Sequence, residues 1–244
     1  MTRTPLFGIA FDDIPMPEAA EAALRLIGRG DGAYAVTPNP EIVLAARKDP
    51  ALQEAITGAD LILPDGVGLV WASKILGRPL QNRLQGIDFA SALMERLSKN
   101  CGSVYLLGAK PGVAEEAAKR LAAAYPGLRI AGTRNGYFRD DEEDEILGEI
   151  RAAGPDLTLV CLGFPRQELW MKNNVSRVGR GLMIGLGGAM DVYAGQKKRA
   201  PEPMRRLGME WLYRLAQEPR RIGRVLRLPG ILFAAIKEKG RENA

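Results

Sequence analysis

Histidine is absent from the 244 residues. Without an imidazole there can be no Ser-His-Asp triad, no histidine general base and no histidine metal ligand. Proton transfer is left to Asp, Glu, Lys, Tyr or Cys. Cysteine is nearly absent too. Cys101 and Cys161 are the only two, too few and too far apart for a structural zinc site. Cys161 lies inside the apolar run 157–162 and reads as a buried structural thiol, not a disulfide partner, which suits a reducing compartment. No Asp-x-Asp occurs, and the acidic run 140–145 reads as a solvated first helical turn, not a metal site. Long apolar runs are also missing, and none approaches the ~20 residues needed to span a bilayer. Residues 1–11 carry only a short apolar piece before Asp12-Asp13, which is not the pattern of a signal peptide. These absences predict a cytoplasmic protein that needs no metal or other cofactor.

Apolar residues make up 46% of the chain, enough for a substantial core. They fall in a recurring pattern of short apolar run, polar turn and helical segment. The stretch Ala59-Asp60-Leu61-Ile62-Leu63-Pro64-Asp65-Gly66-Val67-Gly68 is the clearest instance. The apolar run reads as a buried strand, Pro64 stops it, Gly66 makes the turn, and residues 67–76 resume as a helix. Asp65 therefore sits at the carboxyl end of a strand, just before a helix N-terminus. Two readings apply: it caps the helix, or it serves a ligand at the strand edge. Residues 4–11 read as a first strand and 17–28 as a helix. A strand at 33–36 leads to Asn39 as N-cap and Pro40 as first helical residue. Further strands are expected at 103–107, 128–132, 156–162 and 181–186, with helices at 51–57, 88–98 and 113–124 and from 168 through Trp170. Strands alternating with helices predict an α/β fold with a largely parallel sheet and helices on both faces, Rossmann-like.

In such a sheet the strand ends gather on one edge. Here they carry Thr37, Asn39, Asp65, Gly108, Arg134, Asn135, Gly136, Gln167 and Asp191. Glycine-rich turns before helices suit an anion such as a nucleotide diphosphate. Gly185-Leu186-Gly187-Gly188 is not a G-x-G-x-x-G fingerprint, and no P-loop motif is present. Arg83, in a polar connection, is either a solvated loop charge or a phosphate ligand.

The net charge of +5 is unevenly spread. Residues 196–244 hold 13 basic and 5 acidic groups, a balance of +8, whereas residues 1–195 have a balance of −3. Met204, Leu207, Trp211 and Leu215 form an apolar stripe at helical spacing. After Pro219, Arg220, Arg224 and Arg227 share a face, and Pro229-Gly230 is expected to break the segment again before a short apolar piece, 231–236. Basic amphipathic helices separated by breaks read as an interfacial membrane element. The alternatives are a tail packed on the core and a nucleic-acid surface, the last disfavoured by the scarcity of aromatic and polar readers. The chain is therefore divided into an α/β catalytic domain, 1–195, and a basic helical appendage, 196–244.

The motifs together resemble one family. They are Thr37-Pro38-Asn39-Pro40-Glu41, Pro64-Asp65-Gly66-Val67-Gly68, Tyr105-Leu106-Leu107-Gly108, Gly136-Tyr137-Phe138 and Gly163-Phe164-Pro165-Arg166-Gln167-Glu168. Gly187-Gly188-Ala189-Met190-Asp191-Val192, Ala194-Gly195, Arg199-Ala200-Pro201 and Glu210-Trp211-Leu212-Tyr213-Arg214-Leu215 complete the set. In this order, over nearly the whole chain, the sequence resembles the WecG/TagA/CpsF glycosyltransferases. The resemblance implies inverting, metal-independent transfer of N-acetylmannosamine or a related sugar. The donor is a UDP-sugar and the acceptor N-acetylglucosamine on a polyprenyl diphosphate. It implies Asp65 as catalytic base, with Thr37, Asn39, Arg83 and Gln167 around the sugar and diphosphate. The nucleotide-sugar is expected at Gly108, Asn135, Gly136, Tyr137, Gly163, Gly187, Gly188 and Asp191. Appendage arginines Arg214, Arg221 and Arg224 are expected at the lipid diphosphate or an anionic membrane surface, on the inner face of the cell membrane. No nucleic-acid partner is expected, and a homo-oligomer is left open. The rival enzyme class, another nucleotide-dependent α/β enzyme, is disfavoured by the missing G-x-G-x-x-G.

Overall fold

A computed structural model describes residues 3–206, 208–217 and 228–242. The expected strand at 4–11 is instead a hairpin: β1 (Arg3–Leu6) and β2 (Ile9–Asp12) pair antiparallel. Phe7 and Gly8 between them both take positive φ, 55° and 76°, the backbone of a tight two-residue hairpin turn. The sequence hid this turn because Phe7 lacks the usual Asn or Gly signature. The hairpin is stitched to the sheet by Asp12, fully buried, whose Oδ2 accepts from the Ile62 N–H at 2.9 Å while Oδ1 takes the Arg3 guanidinium.

The main sheet has six parallel strands in the order β4-β3-β8-β7-β5-β6. They are β3 (Gly32–Val36), β4 (Leu61–Ile62), β5 (Ser103–Gly108), β6 (Arg129–Arg134), β7 (Leu157–Cys161) and β8 (Gly181–Gly185). Strand alternation divides their side chains between two apolar layers. Tyr34, Val36, Tyr105, Leu107, Val160 and Met183 face one, while Ala33, Ala35, Leu106, Leu159, Cys161 and Ile184 face the other. Burial on both faces is why these strands read as continuous apolar runs.

Helices α1 (Met16–Gly28), α5 (Gly86–Ser98), α6 (Val113–Ala124) and α9 (Ala189–Tyr193) cover the second layer. The first is covered by α2 (Pro40–Ala46), α3 (Pro50–Thr57), α4 (Val67–Ile75), α7 (Glu143–Ala153) and α8 (Arg166–Val178). As expected, Asn39 caps α2, its Oδ1 accepting from the Glu41 and Ile42 N–H groups. Asp49 does the same for α3. Each such cap contributes about 1 kcal/mol.

The C-terminal segment contains α10 (Glu202–Arg206), α11 (Glu210–Gln217) and α12 (Leu228–Glu242). Pro229-Gly230 does not break the chain before a short apolar piece: the two residues form the first turn of α12, where a missing proline N–H costs nothing. Ile231 and Ala235 are fully buried in the apolar layer that also holds Leu69, Ala72 and Val43, so α12 packs on α4 and α2. Arg47 bridges to Glu238 at 2.9 Å. Leu207, Arg221, Arg224 and the rest of the expected basic helix 220–227 lie outside the described residues.

Candidate active site

The order β4-β3-β8 places three loops side by side at the carboxyl edge of the sheet. The first strand pair runs towards one edge of the sheet and the later strands fill in from the other. The crevice at such a reversal is where open α/β sheets bind ligands. Backbone hydrogen bonds continue past the strands. Leu63 N donates to Val36 O and Asp65 N to Pro38 O, at 3.0 and 3.1 Å, and Leu84 N reaches Pro64 O at 2.9 Å. These bonds bring the Thr37, Asp65 and Arg83 segments together. Gly66 turns the chain into α4 at φ 90°, a region that disfavours any other residue, with Pro40 Cδ 3.2 Å from where a Cβ would stand.

The result is a cavity of about 520 Å³, within the range that holds a nucleotide-sized ligand. Thr37, Asn39, Asp65, Arg83 and Gln167, the five residues expected to do the chemistry, all line it. So do Gly163, Gly187 and Gly188 of the expected nucleotide-sugar set. Gly108, Asn135, Gly136, Tyr137 and Asp191 do not line it. They belong to the end of β5, the loop after β6 and α9, on the same sheet edge. There Arg166 ties the segments together by donating to Gly136 O at 2.8 Å and stacking on the Phe138 ring. Asn135 Oδ1 accepts from Tyr137 N, and the Tyr137 ring is 69% exposed. Asp191 is paired with Lys197 at 2.9 Å.

The electrostatics favour an anion. Helices α4, α5, α8 and α9 all begin at the cavity without a side-chain cap. The positive ends of their dipoles lie at it, while the Gln167 and Ala189 N–H groups at the starts of α8 and α9 are already bonded to Gly163 O and Leu186 O. Arg83, Lys197, Lys198 and Arg199 add cations, set against Glu41, Asp65 and Glu210. Arg83 also donates to Arg205 O at 2.8 Å, so the same guanidinium secures α10.

Gln167 is only 4% exposed yet reaches the cavity. Its Oε1 accepts from the Gly187 N–H at 2.8 Å and its Nε2 donates to Glu168 Oε1 at 2.9 Å. Burial pushes the Glu168 carboxyl up to about 7.

The resemblance implies that the appendage helps to complete the site through Arg214, Arg221 and Arg224; the described appendage residues that line this wall of the cavity are others. Lys197, Lys198, Arg199, Gly208, Glu210, Trp211 and Gln217 line the cavity from the segment after Gly195. Arg199 is held by Asp88, with Nη2 to Oδ2 at 3.0 Å, and by Gln85 Oε1 at 2.9 Å. The motif strings around Arg199 and Glu210 were the only signal for this wall, because no local pattern reports a contact across 111 residues. Arg214 belongs to α11. Among the described residues no three His, Cys, Asp or Glu side chains gather as metal ligands.

A model of the glycosyl transferase WecG/TagA/CpsF family matches residues 4–244. The N-acetylglucosaminyldiphosphoundecaprenol N-acetyl-beta-D-mannosaminyltransferase of Bacillus spizizenii is 37% identical over 213 residues, 87% of this chain and 82% of that protein. Its namesake in Bacillus subtilis is 37% identical over 208 residues, 85% of this chain and 80% of its own. The Staphylococcus aureus (strain MW2) protein of that name is 34% identical over 239 residues, 97% of this chain and 93% of its own.

Proposed function

Because the chain belongs to the WecG/TagA/CpsF family of glycosyltransferases, we propose that its cleft transfers N-acetylmannosamine, or a related sugar, from a UDP-sugar to N-acetylglucosamine on a polyprenyl diphosphate, in teichoic-acid-like biosynthesis. The observation that carries this reading is the convergence of Asp65, Thr37, Asn39, Arg83 and Gln167 on one cavity bordered by uncapped helix N-termini. Relatives at 34–37% identity are named for transfer of N-acetylmannosamine to N-acetylglucosaminyldiphosphoundecaprenol.

The chemistry follows from the groups available. An acceptor hydroxyl oxygen attacks the anomeric carbon from the face opposite the leaving group, through an oxocarbenium-like state. The bond from that carbon to the diphosphate oxygen breaks, and UDP departs with the electron pair. Asp65 accepts the hydroxyl proton as the new bond forms, late enough that a weak carboxylate base suffices. Arg83 and the N–H groups of the helix ends stabilise the charge on the departing diphosphate. Gln167, fixed by Gly187 and Glu168, and Thr37 hold the sugar in line.

The lipid-linked acceptor also requires a way to meet the membrane. No helix of the described residues is long and apolar enough to cross one. Peripheral attachment to the inner face through residues 196–244 is our reading. Its support is the +8 balance of that segment and the exposure of Trp211, Leu212, Phe233 and Ile236 on α11 and α12. The function is tested by a panel of UDP-sugars with a short-chain, lipid-diphosphate-linked N-acetylglucosamine, read by mass spectrometry. Addition of one N-acetylhexosamine from UDP-N-acetylmannosamine or a related donor is expected, and no product with any UDP-sugar would refute it.

A further inference from the structure

Glu168 stands in the first turn of α8 and is 3% exposed. Its Oε1 accepts from Gln167, but its Oε2 is buried without a hydrogen-bond partner. A carboxylate held this way works against folding, since water has been removed and only one oxygen is compensated. Its neighbours Trp170 and Met171 are buried in an apolar layer, where a side chain such as Met would satisfy packing alone.

What the carboxylate does is visible in the next side chain. The Gly187 N–H is a fixed donor, so it settles which end of the Gln167 amide is oxygen. The nitrogen end is then bound to meet Glu168, which spends one Nε2 hydrogen and leaves the second. Gly185 provides the room: a Cβ there would lie 3.1 Å from Gln167 Nε2 and 2.8 Å from Met171 Cε. The chain Glu168–Gln167–Gly187 thus ties the start of α8 to the turn after β8, on the cavity wall.

We propose that Glu168 is a positioning residue for sugar transfer: its carboxylate holds the Gln167 amide so that the remaining Nε2 hydrogen is available to oxygens of the bound nucleotide-sugar. This rests on the glycosyl-transfer reading given above.

Two variants separate positioning from packing. Glu168→Met keeps the volume and removes the acceptor, whereas Glu168→Gln keeps an acceptor oxygen and removes the charge. Glu168→Met is expected to melt at or above the wild-type temperature while kcat falls by up to roughly 10²-fold, the scale for losing alignment of a cleft group. The KM for donor should change much less. Glu168→Gln should restore most of kcat. An independent readout needs no substrate: the Gln167 side-chain amide resonances should be exchange-protected in wild type and Glu168→Gln and become solvent-like in Glu168→Met. Wild-type kcat in a folded Glu168→Met overturns the proposal, as does a Gln167 signal indifferent to the substitution. A parallel loss of melting temperature and kcat also overturns it, since that is the mark of packing. If wild type transfers no sugar from any UDP-sugar while the Gln167 signal still responds, the glycosyl-transfer reading fails and the positioning role falls with it, although the contact between the two side chains stands.

Discussion

Gly86 opens α5 on the cavity wall, and a methyl group there tests how tightly the site is built. An ideal Cβ would stand 2.7 Å from Thr37 Oγ1 and 3.0 Å from Leu186 Cδ2. Ordinary contacts need about 3.5 Å, so Gly86→Ala must push the Thr37 hydroxyl or α5 by roughly 0.5–1 Å. Overpacking of this kind costs about 1–3 kcal/mol, and the better helix propensity of alanine offsets up to about 1 kcal/mol. The net loss of stability is therefore about 0–3 kcal/mol on the same scales. Turnover is more sensitive, since a site must hold its groups within about 0.5 Å and a 1 Å error can cost 10²-fold. We expect Gly86→Ala to lose roughly tenfold in turnover on a soluble short-chain acceptor, on the same misplacement scale. Gly148 on α7 provides the control, because a Cβ there meets nothing within 4 Å. Gly148→Ala should gain about 0.5–1 kcal/mol and keep full turnover. Wild-type turnover in a folded Gly86→Ala would refute the claim that Thr37 works from a fixed position.

Other expectations follow from the same geometry. Phe233 and Ile236 are 71% and 58% exposed on α12. Serine at both should weaken binding to anionic liposomes by roughly 10- to 10²-fold per side chain, from the 1.5–3 kcal/mol of a buried large apolar group, and leave turnover on soluble acceptor intact. Unchanged liposome binding would remove α12 from the membrane reading. Burial pushes the Cys161 thiol up to about 12, whereas Cys101 is exposed. A thiol reagent at neutral pH should therefore modify Cys101 quickly and Cys161 only after unfolding; two fast thiols would contradict the core packing. Turnover should survive excess EDTA, and a loss restored by Mg²⁺ or Mn²⁺ would show a metal site made by groups other than those named.

Much of this was legible in the sequence for local reasons. The parallel strands announce themselves as apolar runs because both faces are covered, and the cap at Asn39 and the stop at Pro64-Asp65-Gly66 are chemistry within a few residues. What stayed hidden is what distant residues do to each other. The hairpin turn at Phe7-Gly8 is held by Asp12 bonding a strand 50 residues away. Pro229-Gly230 looks like a break, yet the apolar layer over α2 and α4 takes up Ile231 and Ala235 and completes a helix. The Arg199 wall depends on Asp88, and nothing near Arg199 in sequence says so. Glu168 reads as an ordinary first-turn acid, and only its burial reveals the carboxylate as unusual.

The central claim is that Asp65 removes the acceptor's proton during sugar transfer in this cleft. Asp65→Asn keeps the shape of the turn and removes the base. Measured by mass spectrometry on the short-chain acceptor with UDP-N-acetylmannosamine, turnover should fall by about 10²-fold or more, the scale for losing a general base. Calorimetric binding of UDP should be unchanged. Turnover near the wild-type rate in Asp65→Asn would return Asp65 to shaping the turn before α4 and contradict the account.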